Sequence, residues 1–105
     1  MAKQQPIFYE VTLQAHPSLA PALEDHMRRE HIPAILRTGC FRRIRFDLAS
    51  GGTFRTSYQA ETQEDLDRYL ENHAPRFRSE FQARFPTGVT LSREIWTARE
   101  LWESR

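Results

Sequence analysis

The chain has 105 residues, 39% of them apolar and 28% charged, which is enough for one folded domain with a sizeable core and too little for two. Fifteen basic residues against fourteen acidic ones leave a formal charge of +1, which argues against a protein that holds nucleic acid mainly by neutralising phosphates. The one cysteine, Cys40, excludes an internal disulfide framework and any paired-cysteine zinc or redox site, so a reducing, cytoplasmic setting is expected.

No apolar run precedes Phe8, and no stretch approaches the ~20 apolar residues of a membrane span, so neither a signal peptide nor membrane insertion is expected. Ile7 to Gln14 alternates, with Ile7, Tyr9, Val11 and Leu13 on one side, and predicts a half-buried strand. Leu19, Ala22, Leu23, His26, Met27 and Glu30 recur at helical spacing, predicting a helix from Ser18 to His31 with Pro21 in its first turn. Pro33 biases Ile32 away from helical backbone, so a bend is expected there, with a short restart through Ile35, Leu36 and Arg37 and a left-handed cap at Gly39.

Phe41 to Ala49 and Phe54 to Ala60 alternate again across Ser50, Gly51 and Gly52, the pattern of an antiparallel hairpin. Thr62 with Asp65 reads as a helix start, and Leu66, Tyr69, Leu70 and His73 form the stripe of helix two. Pro75 should break or kink it before Phe77, Phe81 and Phe85 extend the stripe, and Val89 to Ala98 makes a fourth strand. The order βαββαβ, with right-handed crossovers, predicts an α+β ferredoxin-like sandwich: a four-stranded antiparallel sheet with the first and third strands central and the helices on one face. Residues 1–98 form the expected domain, and residues 99–105 a tail carrying Leu101 and Trp102.

The other face of the sheet presents Phe8, Arg43, Arg45, Arg55, Glu94 and Trp96 among further polar residues. RNA-recognition modules of the same strand order stack bases on aromatics displayed by the third strand. Here that strand displays Thr53, Arg55 and Ser57 while Phe54 and Tyr58 point to the helices, which leaves no stacking platform. Balanced Arg and carboxylate beside Phe8 and Trp96 suit closure on a second copy about a two-fold axis, so a homodimer is expected through this face, with the tail and its Trp102 lying across the partner.

Three polar side chains fall on or beside the layer between helices and sheet: His31 at the bend, Tyr69 in helix two, and Arg93 in phase with Val89, Leu91 and Ile95. Each has a structural role open to it. His31 can cap loose carbonyls at the bend, Tyr69 can be a core ring like Tyr58, and Arg93 can sit in a buried ion pair. Convergence of the three at one end of the core would instead build a small-molecule pocket, with Arg93 supplying charge, and that is the expected ligand site. No metal is expected: Glu24, Asp25, His26, Glu30 and His31 bring only His26 and Glu30 one turn apart, without a third ligand. Cys40 reads as a buried thiol, and no glycine-rich phosphate loop opens a helix.

The segment His31, Ile32, Pro33, Leu36, Thr38, Gly39 and Phe41 fits the motif H-I-P-x-x-[LM]-x-T-G-x-F, and Tyr58, Asp65, Tyr69, Ala74-Pro75, Arg84-Phe85 and Arg93 follow in register. In these residues, from Tyr9 to about Ile95, the chain resembles a bacterial family known as domain of unknown function 4286. Such families resemble the dimeric α/β-barrel group, which implies two sheets packed face to face. Where the family pattern has Glu-His in the second part of helix two, this chain has Glu80-Phe81, which counts against a catalytic histidine there. The resemblance implies no activity. A cofactor-free module that binds a small acidic ligand, or regulates or scaffolds, is the first functional expectation; a cofactorless monooxygenase or isomerase with His31 or Tyr69 as acid or base is the second, implied only by the analogy with the dimeric α/β-barrel group.

Overall fold

In the computed structural model, which describes residues 5–104, the first alternating segment forms strand β1 (Ile7–Ala15) and buries Ile7, Tyr9, Leu13 and Ala15. Residues 1–4 of the expected domain and residue 105 of the tail lie outside the described residues. Helix α1 (Ala20–His26), with Pro21 in its first turn, runs into α2 (Ile32–Leu36) through a π-helical turn, Met27–His31. The expected bend at Pro33 is absent: Ile32 keeps φ −64° and ψ −46°. Pro33 has no N–H, and its ring would crowd the carbonyl one α-turn back. The wider turn before it, in which the Ile32 N–H bonds the Met27 carbonyl five residues back, absorbs the misfit without leaving helical backbone. Gly39 closes the segment at φ +75°, the left-handed cap that the sequence predicts.

Strand β2 (Arg43–Ala49) begins two residues later than the alternation suggests, because Phe41 is taken into the core. It pairs antiparallel with β3 (Thr53–Ala60). The Thr62 hydroxyl accepts the Asp65 N–H at 3.1 Å and starts α3 (Gln63–Asn72). Pro75 lies in the first turn of a separate helix, α4 (Ala74–Arg84), where its missing N–H costs nothing. At Gly88, φ is +83° and a Cβ would strike Leu19, so glycine is required just before β4 (Val89–Thr97).

The sheet order is β2-β3-β1-β4 with every neighbouring pair antiparallel, so the fold is α+β ferredoxin-like. Among the described residues no helix is long and apolar enough to cross a membrane. The core divides into two clusters. One gathers Tyr9, Phe41, Tyr58, Tyr69 and Phe77; the other gathers Leu13, Leu23, Met27, Phe54 and Phe81; Val11 packs against both. Thr56, on the same face of β3, is fully buried, and its hydroxyl meets no hydrogen-bond partner in good geometry among the described residues.

The edge strand β4 departs from expectation. Leu91 and Ile95 point to the helix side yet are 37% and 50% exposed, because the helices do not cover this edge. Arg93, in phase with them, is exposed as well, and no ion pair involves it among the described residues, so the buried ion pair open to it in the sequence is not formed. On the opposite face Phe8 pairs in register with Trp96 and Glu10 with Glu94. Arg45 and Arg55 each donate to Asp47 Oδ2 at 3.1 Å, and Arg43 is exposed.

Candidate functional site

Between the two core clusters lies a cavity of about 230 Å³. Its floor is Tyr9, Val11 and Leu13 of β1, and its walls include His31 from the π-turn, Tyr69 from α3 and Arg93 from β4. Strand register accounts for the placement of Arg93, which sits directly opposite Val11 at the centre of the floor. One step along β1, Tyr9 faces Tyr58 of β3, and Tyr69 comes over it from α3 with ring centroids 6.2 Å apart.

In a regular α-helix, residues five apart point ~140° away from each other. The π-turn removes that divergence and sets the rings of His26 and His31 with centroids 5.9 Å apart. It also turns His31 edge-on to Phe77 and Phe81 of α4, at 5.9 and 5.6 Å. The carbonyl-capping role open to His31 is not taken up, since the helix runs on and its side chain makes no cap hydrogen bond. Burial, reinforced by His26, pulls the His31 imidazole down to about 4, so it faces the cavity uncharged at neutral pH.

Burial pushes the Tyr58 and Tyr69 hydroxyls well above the usual phenol range, so both are neutral phenols. At Tyr69 the neighbouring Tyr9 adds to that shift, while Arg78 and Arg93 act against it, which places both guanidiniums within electrostatic reach of one hydroxyl. Arg78 is a site residue that the sequence reading misses. It lies one position past Phe77, off the apolar stripe of α4, and its length carries the head group over the cavity, where Nη2 donates to Tyr9 Oη at 3.1 Å. Gln82, one turn on from Arg78, lines the same wall; that i, i+4 polar pair flanking the Phe stripe is the signal that could have found it.

Two guanidiniums and a neutral imidazole thus meet aromatic walls, with no Asp or Glu of the described residues in the lining. Such a surface suits a flat, apolar molecule bearing one anionic group. Among the described residues no three His, Cys, Asp or Glu side chains converge as metal ligands, and His26 and Glu30 hydrogen-bond each other at 2.8 Å. Cys40 is buried away from the cavity and accepts the Arg68 Nε–H at 3.4 Å. On the far face of the sheet, a groove of about 800 Å³ runs past Phe8, Arg43 and Arg45 to Arg99 and Leu101. Trp96 is 55% exposed beside it, and Trp102 in the tail is 85% exposed.

The family described as "Domain of unknown function (DUF4286)" matches residues 6–98. A search of curated proteins returns no match to the sequence. Among solved structures, SnoaB, a cofactor-independent oxygenase from Streptomyces nogalater, superposes with a TM-score of 0.73 at 14% identity over 95% of this chain and 99% of that one. A monooxygenase from the gene ActVA-Orf6 of Streptomyces coelicolor, in complex with nanaomycin D, gives 0.73 at 15% identity over 96% and 94%. PA3566 from Pseudomonas aeruginosa gives 0.62 at 20% identity over 93% and 100%. These likenesses establish the fold.

Proposed function

We propose that this chain, which belongs to the DUF4286 family, binds a small planar aromatic acid in the cavity between its helices and its sheet. The observation that carries the reading is that Arg78 and Arg93 line an aromatic cavity into which no carboxylate of the described residues points. A cation at the rim of apolar walls is satisfied best by an anion delivered with an apolar body. Size limits the body. About 150 Å³ accommodates one benzene ring, so about 230 Å³ takes a substituted ring or two fused rings. Titration calorimetry with 1-hydroxy-2-naphthoate and with 2-naphthamide tests this: the acid binds and the neutral amide binds at least tenfold more weakly. Equal affinities would contradict the role given to the arginines.

The same reading takes the protein to be a homodimer joined through the open sheet face. Supporting it are Phe8 and Trp96 side by side on that face, and Glu10 opposite Glu94. Like charges directly across a strand pair disfavour the free sheet, and arginines of a second copy, Arg43, Arg45 or Arg55, would relieve them. In this arrangement the tail with Trp102 packs on the partner.

The likeness to a cofactor-independent oxygenase and to a monooxygenase supports a second reading, that a bound phenol is oxidised. A phenol and dioxygen give a quinone and water: one oxygen atom enters at a ring carbon, and the displaced ring hydrogen and the hydroxyl hydrogen leave with the other. His31, uncharged in the cavity, is the group placed to accept the hydroxyl proton. An oxygen electrode with 1-naphthol separates the readings: uptake of one dioxygen per quinone formed supports oxidation, and binding without uptake leaves the protein a binding module.

A further inference from the structure

We propose that His26 is a positioning residue for His31 and that Glu30 holds it in that role; the inference rests on the cavity's being the ligand site. Glu30 is 69% exposed, and its Oε2 lies 2.8 Å from Nδ1 of His26, whose own side chain is only 13% exposed. The Nδ1–H donates to the carboxylate, which fixes the tautomer and keeps the ring from rotating. The ring so held packs edge-on to Phe85 at 5.5 Å and lies 6.4 Å from Phe81, which is itself edge-on to His31. His26, His31 and Phe81 therefore form one packed set, with Glu30 bracing it from the solvent side.

The surroundings of His31 show what this set does. The ionisable groups that share the cavity with His31 are Tyr9 from β1, Tyr58 from β3, Tyr69 from α3, Arg78 from α4 and Arg93 from β4, and His26 lies beside its ring from the same helix. Among the described residues no Asp or Glu lines the cavity, and the nearby Glu30 carboxylate is turned to His26, so no carboxylate of the lining favours an imidazolium there. An incoming aromatic acid is the exception: its negative charge would draw a proton onto His31. Once protonated, with Glu30 holding the charge, His26 opposes that change, since a charge on its ring disfavours one on the His31 ring 5.9 Å away. The pair keeps His31 a neutral hydrogen-bonding group when the ligand arrives and leaves charge recognition to the arginines. Without the π-turn the two rings would diverge, which gives the turn a use beyond accommodating Pro33.

The test follows the ring resonances of His31 by NMR across a pH titration, together with the affinity for 1-hydroxy-2-naphthoate from pH 8 to pH 5. His26→Phe keeps the aromatic packing and removes the opposing group. It raises the His31 midpoint by roughly one pH unit, and affinity for the acid then climbs severalfold as pH falls, with proton uptake, where the unsubstituted protein shows a flat profile. Glu30→Ala moves both readouts the same way by less, and Glu30→Gln, which can still accept the Nδ1–H bond, restores them. His26→Gln carries the same expectation if the phenylalanine variant does not fold. An unmoved His31 midpoint in the His26 variants overturns the proposal. If the midpoint moves as expected and the naphthoate binds no form of the protein, it is the ligand reading that fails, and the coupling of the two histidines stands.

Discussion

The rings of His26 and His31 lie 5.9 Å apart although five residues separate them. A π-turn forced by a proline two positions beyond His31 puts them there and turns His31 toward the aromatic wall of the cavity. A local hydrogen-bonding deficit thereby shapes the chemistry of the site: the imidazole is buried against Phe77 and Phe81, and burial is the main reason that it stays uncharged.

That burial makes stability depend on pH. The folded midpoint of about 4 lies below the ordinary value of 6.5, so between these values the unfolded chain binds more protons. The contribution of His31 is complete above about pH 6.5 and is lost as pH falls toward about 4, amounting to roughly 3 kcal/mol. Urea unfolding of the His31→Phe variant and the unsubstituted protein at pH 7.5 and pH 5 checks it: the variant loses less stability across the interval.

Thr56 carries a buried hydroxyl without a well-placed partner among the described residues. Thr56→Val keeps the shape and removes the unsatisfied group, so it should stabilise the protein by about 1 kcal/mol. An unfolding midpoint that falls would show that the hydroxyl has a partner in solution.

The open sheet face predicts assembly. Light scattering at micromolar concentration should give twice the protomer mass, and Trp96→Asp, which sets a charge beside Phe8, should return the protomer mass without loss of helical and strand signal. A protomer mass for the unsubstituted protein would leave the face to another partner.

Much of the fold was legible because its signals are local. Alternation at Ile7 to Gln14, the glycines of the hairpin and the Thr62 cap each act within a few residues, and together they force the strand order. Tyr69 and Arg93 stand out in the sequence as polar groups in apolar phase, and His31 by its place beside Pro33 at the expected bend. The π-turn was not legible, because a proline can be accommodated by bending the helix or by widening the turn before it, and only the hydrogen-bond register distinguishes them. Arg78 lies off the apolar stripe of α4, so periodicity gives no sign of it. The exposure of β4 depends on how far the helices reach across the sheet, which no stretch of sequence reports.

The most direct test of the account is the affinity of the Arg93→Met protein for 1-hydroxy-2-naphthoate, measured by calorimetry beside its unfolding midpoint. Arg93 is exposed and makes no ion pair among the described residues, so its replacement should leave stability within experimental error. The affinity should fall roughly tenfold to a hundredfold, the loss expected for one charged hydrogen bond to the ligand's anionic group. An unchanged affinity, with 2-naphthamide binding as well as the acid, would contradict the claim that the cavity selects an aromatic acid through its arginines.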